Sequence, residues 1–403
     1  MIWKSIESAL SGAIETYRTQ RSLLAVGRYF VRFISRRGPA AIRRRIEARR
    51  SLARMTAQSQ RTPNQIIVAI VVGGVVGDNI IAARFLRDLG EFCPNVSFDI
   101  YTSNVALGRW IYGNVGSGLR DCFQDTSFGK ISEEYDAILE IGDTVKFLQA
   151  KLTLTNNHSE RLSKILASIR SFSDGHKDDK TLAYNHDGIV AQELLYKHGK
   201  NRATANHFIA GISYGGDRYA LAADGNVVAK HALGDKRYVT VHNGFDLSQI
   251  THSGTASKVY PRFGEVIKEV RKARPELIFV QIGASTSVNI DGVDLNLIGQ
   301  TSLPEAAGLI KGAICHLDNE GGLVTIASCY GIRCCVVFGP SSADYFSYDG
   351  NVAIRPAECG GCWWIAKDWM SRCPRGMNEP VCMYKQPPSV VAKGVLQLLN
   401  ACP

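Results

Sequence analysis

The sequence predicts an α/β protein built from two Rossmann-like, doubly wound domains. A chain of 403 residues, 45% of them hydrophobic, is too long for one ordinary core and fits two domains with an extension. Strand-like hydrophobic runs alternate with helix-like segments in two separate series, and this alternation predicts parallel sheets. We therefore expect a basic helical extension at 1–61, a first domain at 62–234 and a second domain at 235–403.

The first series of elements begins after Gln65. The run IIVAIVVGG has the continuous hydrophobic pattern of a buried parallel strand and ends in glycines. The helix-like segment NIIAARFLRDLGEF follows it, and VSFDIYTS and YDAILEIG are the next strands. The polar section after them contains two amphipathic segments, ERLSKILASIRSF and IVAQELLYKHG, which we predict to be helices.

The second series begins at RYVTVHNG, a strand, and continues through the helix-like YPRFGEVIKEVRKARP. The strand LIFVQIG, the helix SLPEAAGLIKGA and the strands AICHLD and RCCVVFGP complete it. This second alternation predicts a second doubly wound sheet.

Candidate ligand-binding residues lie just after the strands, because open parallel sheets bind ligands beyond the carboxyl ends of their strands. In the first domain this position is held by Asp78, which is either a helix N-cap or a catalytic base. In the second domain, Gly321 and Gly322 open a helix whose N–H groups suit a diphosphate, although a simple strand-to-helix turn also favours glycine there. His186, His242 and His316 are interpreted as packed or hydrogen-bonded side chains rather than catalysts.

The eleven cysteines include a group of four near the C-terminus. They have the spacing Cys-x2-Cys-x10-Cys-x8-Cys within a loop at 357–384, and they are Cys359, Cys362, Cys373 and Cys382. Four thiolates can close a tetrahedral metal site, for which zinc is the usual ion and iron is also suitable. The alternative is a set of buried free cysteines. Trp363, Trp364 and Trp369 in the same loop either wall this small region or offer a stacking surface.

The net charge of +10 is concentrated in residues 28–54, which contain ten arginines and a single acid, Glu47. A helix there would place an apolar stripe between cations, as helices on anionic membranes do. A solvated basic helix packed on the body of the protein is the alternative. A nucleic-acid partner is not expected, because the rest of the chain has no basic excess. With no long apolar run, we expect a cytoplasmic protein, either free or peripheral on the inner face of the membrane.

Taken in order, the segments IIVAIVVGGVVGDNIIAARFLRDLGEFCP, YDAILEIG, YVTVHNG, SKVYPRFGEVIKEV, LIGQTSLPEAAGLIKGAICHLDNEGGLVTIASCYG and VVFGP resemble glycosyltransferase family nine, the bacterial heptosyltransferases. The resemblance covers residues 65–400. It implies a GT-B fold, with the two domains facing a cleft, and an inverting transfer from ADP-heptose or a similar ADP-linked sugar. The acceptor would be a glycan, a glycolipid or a protein hydroxyl. The cysteine loop resembles that of autotransporter-modifying heptosyltransferases, in which four cysteines surround one iron ion.

The resemblance also implies roles for single residues. Asp78 corresponds to the family's base, and the inverting arrangement requires no catalytic divalent metal. The implied donor-binding residues, on the second domain, are Asn243, Gly244, Lys258, Gly283, Asp318, Glu320, Gly321 and Gly322. The sequence departs from the family where a histidine is expected, because Val324 and Thr325 stand there, and where a ribose-binding acid is expected, because the nearest acids are Asp291 and Asp294.

Two other functions remain open at this stage. A nucleotide-sugar epimerase or hydrolase also uses twin Rossmann-like domains with a diphosphate at a helix N-terminus. A degenerate GT-B scaffold protein is compatible with the missing histidine. The sequence also leaves a homo-oligomer open.

Overall fold

A computed structural model gives the fold of this chain. It describes residues 42–55, 65–116, 118–130, 132–151, 160–178, 184–244 and 257–401. Most of the predicted extension, including 28–41 of its basic segment, lies outside the described residues. The structure therefore tests the predicted helix of this extension only over residues 42–55.

The described strands form two sheets, and the helices pack around them. The strands are β1 (Ile66–Val72), β2 (Val96–Thr102), β3 (Leu119–Gln124), β4 (Ala137–Ile141), β5 (Val145–Ala150), β6 (Tyr238–Val241), β7 (Ile278–Gln281), β8 (Leu295–Asn296), β9 (Cys315–Asn319), β10 (Cys334–Val337) and β11 (Val352–Ile354). The helices are α1 (42–55), α2 (Val76–Phe92), α3 (Val105–Tyr112), α4 (Glu160–Gly175), α5 (His186–His198), α6 (Ala205–Ala210), α7 (Val227–Lys230), α8 (Phe263–Ala273), α9 (Leu303–Gly312), α10 (Gly322–Tyr330), α11 (Ala343–Phe346), α12 (Val381–Tyr384) and α13 (Pro388–Ala401).

The first sheet has the strand order β3-β2-β1-β4-β5. β1 pairs in parallel with β2 on one side and with β4 on the other, so the strand order reverses beside β1. β5, which the sequence pattern did not predict, runs antiparallel to β4 at the edge of the sheet. Residues 142–144 join these two strands, and so short a connection cannot contain the crossover that a parallel neighbour needs.

The second sheet is parallel throughout and has the order β11-β10-β9-β6-β7-β8. Its strand order reverses between β6 and β9. In open α/β sheets, ligands bind in the crevice that such a reversal opens at the carboxyl ends of the strands. Each sheet thus has one favoured binding edge, at β1 and β4 in the first and at β6 and β9 in the second.

The two halves of the molecule are joined by a continuous buried core, and helices α2 and α10 pack against each other within it. Phe85 on α2 and Ile326 on α10 are fully buried there. The first turns of these two helices come into backbone contact. A Cβ placed on Gly77 would lie 3.2 Å from Thr325 Oγ1 and 3.4 Å from Gly322 Cα. The small residues at this crossing therefore bring the binding edges of the two sheets together.

Helix α1 packs on the first domain through its last two turns. Ser51 is buried and its Oγ accepts a hydrogen bond from Gln124 N at 3.0 Å, while Arg54 Nε lies 2.9 Å from Asp121 Oδ2. The first half of the helix is exposed, including Ile42 and Ile46. The packed-helix interpretation therefore holds for the end of α1. Across the described residues, no helix is long and apolar enough to cross a membrane.

Candidate functional site

Asp78 lies in the first turn of α2, just beyond the carboxyl end of β1. The N-cap of this helix is Val75, so Asp78 is not the N-cap itself. Its Oδ2 instead accepts a hydrogen bond from Val75 N at 3.1 Å, as the acid of a capping box does. Gly74 has a φ of +81°, and a Cβ there would overlap the Asp78 carboxylate, so the turn requires glycine.

The second carboxylate oxygen of Asp78 is bound by Arg202, whose Nη2 lies 2.8 Å from Oδ1. Arg202 is buried and also donates to the carbonyl oxygens of Asp143, at 2.8 Å, and Gly142, at 3.2 Å. Burial on its own would lower the pKa of this guanidinium, but the carboxylates of Asp78 and Asp143 raise it above its ordinary value. Arg202 therefore remains charged and fixes the position of Asp78.

Asp143 is a second acid at this edge, which the sequence analysis missed. It follows β4, the strand that pairs with β1, and its Oδ1 lies 4.0 Å from Arg202 Nη2. Solvent reaches 47% of its side chain, while protein surrounds it elsewhere. This partial removal from water, together with the neighbouring carboxylates of Asp78 and Asp187, raises its pKa to about 6 against the opposing effect of Arg202. The first domain thus offers two carboxylates around one arginine.

The raised pKa of Asp143 predicts a pH-dependent stability. Between roughly pH 4 and pH 6 the folded protein holds this proton more tightly than the unfolded chain, so the free energy of unfolding falls as the pH rises through that window. Asp143→Asn removes the group, and we expect the melting temperature of the variant, relative to that of the unmodified protein, to rise across the same window. Thermal melts at half-unit pH steps measure this. A difference in melting temperature that stays constant across this pH window would contradict the prediction.

At the favoured edge of the second sheet, His242 follows β6 and Asp318 lies at the end of β9. His242 Nδ1 is 2.9 Å from Asp318 Oδ1 and 3.0 Å from Oδ2. His316 Nε2 lies 3.2 Å from Asp318 Oδ2, and its Nδ1 lies 2.9 Å from Thr240 Oγ1. Burial would raise the pKa of Asp318, but His242 and His316 together lower it. Asp318 is therefore an ionised carboxylate behind His242 and is 2% exposed.

This geometry changes the interpretation of three predicted residues. Asp318, which we expected at the donor, binds histidines with its carboxylate. Lys258 and Glu320, both expected at the donor, form an ion pair with 3.0 Å between Nζ and Oε2. The side chains of all three are largely buried.

The other predicted donor residues surround the same edge. Asn243 and Gly244 follow His242, Gly283 follows β7, and Gly321 precedes α10 with open space beside its Cα. Thr325, which stands in place of the expected histidine, is buried at the crossing of α2 and α10, and Tyr348 donates a hydrogen bond to its Oγ1 at 3.2 Å. Of the two acids after Gly283, Asp294 is engaged elsewhere, since it binds Arg271 at 2.6 Å and accepts from Phe279 N.

The four cysteines of the C-terminal loop line one cavity of about 200 Å³. Burial raises the pKa of the Cys382 thiol to about 12, with further contributions from Cys362, Cys359 and Cys373, so the four thiols are electrostatic neighbours. Over the described residues, however, the structure contains no group of three or more His, Cys, Asp or Glu side chains arranged to hold a metal ion. Four sulfur atoms are nevertheless a donor set that suits a metal ion.

The tryptophans of this loop serve mainly as packing. The Trp363 ring stacks on Tyr345 at 5.6 Å, and both residues are buried with Trp369 and Ala191 in one cluster. Asn185, at the start of α5, donates to the Trp363 carbonyl oxygen at 2.8 Å. The loop therefore fastens the second half of the molecule to α5 of the first. His186 is also a packed histidine, with its Nε2 3.0 Å from the His176 carbonyl oxygen.

Comparison with known proteins identifies the fold. No family model matches the chain, and no curated protein matches it. Among solved structures, it is similar to the iron-containing dodecameric glycosyltransferase TibC from enterotoxigenic E. coli, with 13% identity over 85% of this chain and 78% of that one and a TM-score of 0.56. TibC in complex with ADP-D-beta-D-heptose gives 14% identity over 85% and 79%, with a TM-score of 0.53.

A third solved structure agrees with these two. A glycosyl transferase family 9 protein from Veillonella parvula has 12% identity over 85% of this chain and 99% of that one, with a TM-score of 0.50. Likeness at this level of identity shows the fold. The chain has a GT-B fold, with two Rossmann-like sheets whose binding edges meet at the crossing of α2 and α10.

Proposed function

We propose that this chain is an inverting glycosyltransferase that moves a sugar, a heptose, from an ADP-linked donor to a hydroxyl group of a glycan, glycolipid or protein. The observation that carries the proposal is the approach of the two binding edges. The carboxylates of Asp78 and Asp143 lie at the binding edge of the first sheet. The start of α10, which begins with glycines, lies at the binding edge of the second sheet. The similarity to structures named as glycosyltransferases supports it. We propose the domain boundary between residues 234 and 235.

Each edge has its own task in this reaction. Asp78 accepts the proton of the attacking hydroxyl, and Arg202 holds it in place. The backbone N–H groups at Gly321 and Gly322, at the start of α10, together with Lys258, Asn243, Gly244 and Gly283, stabilise the negative charge on the departing diphosphate. Thr325, which stands in place of the family histidine, accepts a hydrogen bond from Tyr348 and has no role in the proposed transfer.

A donor screen tests the proposed function. Purified protein is incubated with ADP-, GDP- and UDP-sugars, and the free nucleoside diphosphate is measured with and without candidate acceptors. We expect the ADP-linked donor to stabilise the folded protein, and we expect ADP to be released only when an acceptor is present. Conversion of the donor without an acceptor would indicate an epimerase or a hydrolase. Absence of binding to every donor would support a scaffold protein and contradict the proposal.

We also propose that Cys359, Cys362, Cys373 and Cys382 hold one structural iron or zinc ion. All four line the same cavity, and four sulfurs are a chemically suitable donor set for either metal. TibC, to which the fold is similar, is named as iron-containing. The loop contacts α5, and it also bonds Gly339 and Pro340 after β10, so the ion would stabilise the arrangement of the two halves.

We further propose a cytoplasmic protein that lies on anionic membrane through the exposed half of α1. Arg43, Arg44 and Arg45 are exposed there beside Ile42 and Ile46. Because each such cation contributes about 1 kcal/mol near an anionic surface, replacing all three arginines with glutamine should weaken binding to phosphatidylserine vesicles about 100-fold. The vesicles are sedimented and the bound protein is measured.

A matched control for this prediction is available on the first domain. Lys164, Lys177 and Lys197 are exposed cations outside α1, and replacing them with glutamine removes the same charge. This control should retain vesicle binding. Equal binding by the two triple variants would show that α1 only packs on the domain.

A further inference from the structure

His242 stands at the point where the second sheet reverses its strand order. β6 and β9 are paired neighbours, with Thr240 opposite His316 and Val241 opposite Leu317, so His242 and Asp318 follow as the next pair. A buried chain of side chains runs from Thr240 through His316 and Asp318 to His242. Its inner members are almost fully buried, whereas 17% of the His242 side chain is exposed. Only the last member of the chain is open to a ligand.

The contact with Asp318 orients the imidazole of His242. A carboxylate at Nδ1 fixes the proton there, so Nε2 is the ring atom left for a ligand. That edge of the ring faces two glycines: a Cβ on Gly244 would come 2.5 Å from Nε2, and one on Gly283 would come 3.1 Å from Cδ2. Within the described part of the chain, Nε2 makes no hydrogen bond. The ring edge thus lies among the predicted donor-binding glycines.

Buried polar atoms without partners lie at the same edge of the sheet. Within the residues that the structure describes, they are Asn243 Oδ1 after β6, Asn319 Nδ2 at the end of β9 and Ser341 Oγ beyond β10. These residues are 7%, 3% and 2% exposed. A buried polar atom without a hydrogen bond costs roughly 1–3 kcal/mol, and binding a polar ligand can recover this. Three such atoms beyond three adjacent strands point to a polar ligand at this edge.

We propose that His242 binds the departing diphosphate of the donor as a catalytic residue, with Asp318 and His316 as the residues that position it. The inference rests on the proposed function. In the transfer, the acceptor oxygen forms a bond to the anomeric carbon and its proton passes to Asp78. The bond from that carbon to the phosphate oxygen breaks, and its electron pair stays on the phosphate. Protonated His242 donates Nε2–H to this oxygen and keeps its proton, while Asp318 balances the charge of the ring.

This assignment accounts for the departure at Thr325. A cationic or hydrogen-bonding side chain near the phosphates comes here from the end of β6 instead of from the first turn of α10. The Asp318 carboxylate, which was expected to contact the donor directly, acts through His242 instead. A group that strengthens its contact as charge develops lowers the barrier and raises kcat more than it tightens ground-state binding.

The test uses the full-length protein with ADP as the probe. Calorimetric titration of His242→Gln should give an ADP dissociation constant about tenfold higher, a loss of about 1.4 kcal/mol, and kcat with the active donor should fall about 100-fold. The ³¹P resonance of the β-phosphorus in bound ADP should shift between the two proteins, while that of the α-phosphorus should not. His198→Gln, at the exposed end of α5, is the matched control and should match the unmodified protein.

A double-mutant cycle separates positioning from general structural damage. Asp318→Asn should weaken ADP binding on its own and add nothing once His242 is already glutamine. Full ADP affinity, turnover and an unchanged β-phosphorus resonance in His242→Gln would overturn the inference and leave the proposed function intact. If the unmodified protein binds no nucleoside diphosphate, the proposed function itself fails. If Asp318→Asn does not fold, the measurements on His242→Gln alone decide whether the inference holds.

Discussion

Asp78→Asn is expected to reduce sugar transfer about 1,000-fold, because it removes the proposed base for the acceptor hydroxyl. The amide keeps the size of the side chain and an oxygen that can still cap Val75 N. ADP affinity should stay within about twofold, since the proposed diphosphate site lies at the edge of the other sheet. The measurements are steady-state turnover with the active donor and calorimetric titration with ADP. Turnover within a few fold of the unmodified protein would contradict the assignment of Asp78 as the base.

The structural role of Asp78 requires its own control, because the carboxylate also caps α2 and pairs with Arg202. Glu305 has a matching role in α9, where it accepts from Ser302 N at 2.8 Å and pairs with Lys230, outside the two binding edges. Glu305→Gln should lower the melting temperature slightly and leave turnover unchanged. Equal losses of turnover in both variants would mean that helix capping, not proton transfer, explains the effect of Asp78→Asn.

Asp143→Asn distinguishes the two carboxylates around Arg202. If Asp78 is the base, the Asp143 variant keeps much of its turnover, because Arg202 still binds Asp78 at 2.8 Å. A larger loss in the Asp143 variant than in the Asp78 variant would transfer the role of base to Asp143, which is the more exposed of the two side chains.

The elements that the sequence predicted are those whose hydrophobic pattern is local. The run IIVAIVV forms β1, and SLPEAAGLIKGA contains α9 with a Ser302 cap and Pro304 in its first turn. The four edge strands β3, β5, β8 and β11 escaped prediction. β3 is largely polar, β5 exposes Leu148 and so lacks a clear buried face, and β8 and β11 have only two and three residues. Register and strand order depend on pairing between distant segments, which a local pattern does not encode.

The same distinction applies to the candidate site. Asp78 could be named from the glycine-rich turn around it, but its partner Arg202 lies 124 positions away in a polar section without a motif. The sequence around His242 predicts only a packed histidine, because its neighbours give no sign of Asp318, 76 positions away. Only the pairing of β6 with β9 brings these two together. A local sequence motif identifies a backbone turn. Ion pairs between residues far apart in the sequence decide which side chains are positioned for chemistry.

A substitution in the C-terminal cysteine loop should have the second large effect, on metal content and thermal stability. Cys359→Ser should abolish metal binding and lower the melting temperature by on the order of 5 °C or more, because a metal bound only by the folded protein adds its binding free energy to stability. Cys359 is exposed, so serine leaves the packing of the buried loop residues unchanged. Elemental analysis and thermal melts measure the two effects. The expected content is one iron or zinc per chain in the unmodified protein.

A chelator separates loss of the metal from loss of the thiol. It should lower the melting temperature of the unmodified protein to that of Cys359→Ser and leave the variant unaffected, since the variant has no ion to lose. Cys93→Ala removes a buried cysteine outside the loop and should keep the full metal content and its response to chelator. The loop binds α5 through Asn185, so the loss of metal should loosen this contact and raise protease sensitivity near Trp363. A metal-free protein as stable as the purified one would show that packing of buried thiols and tryptophans alone holds the loop.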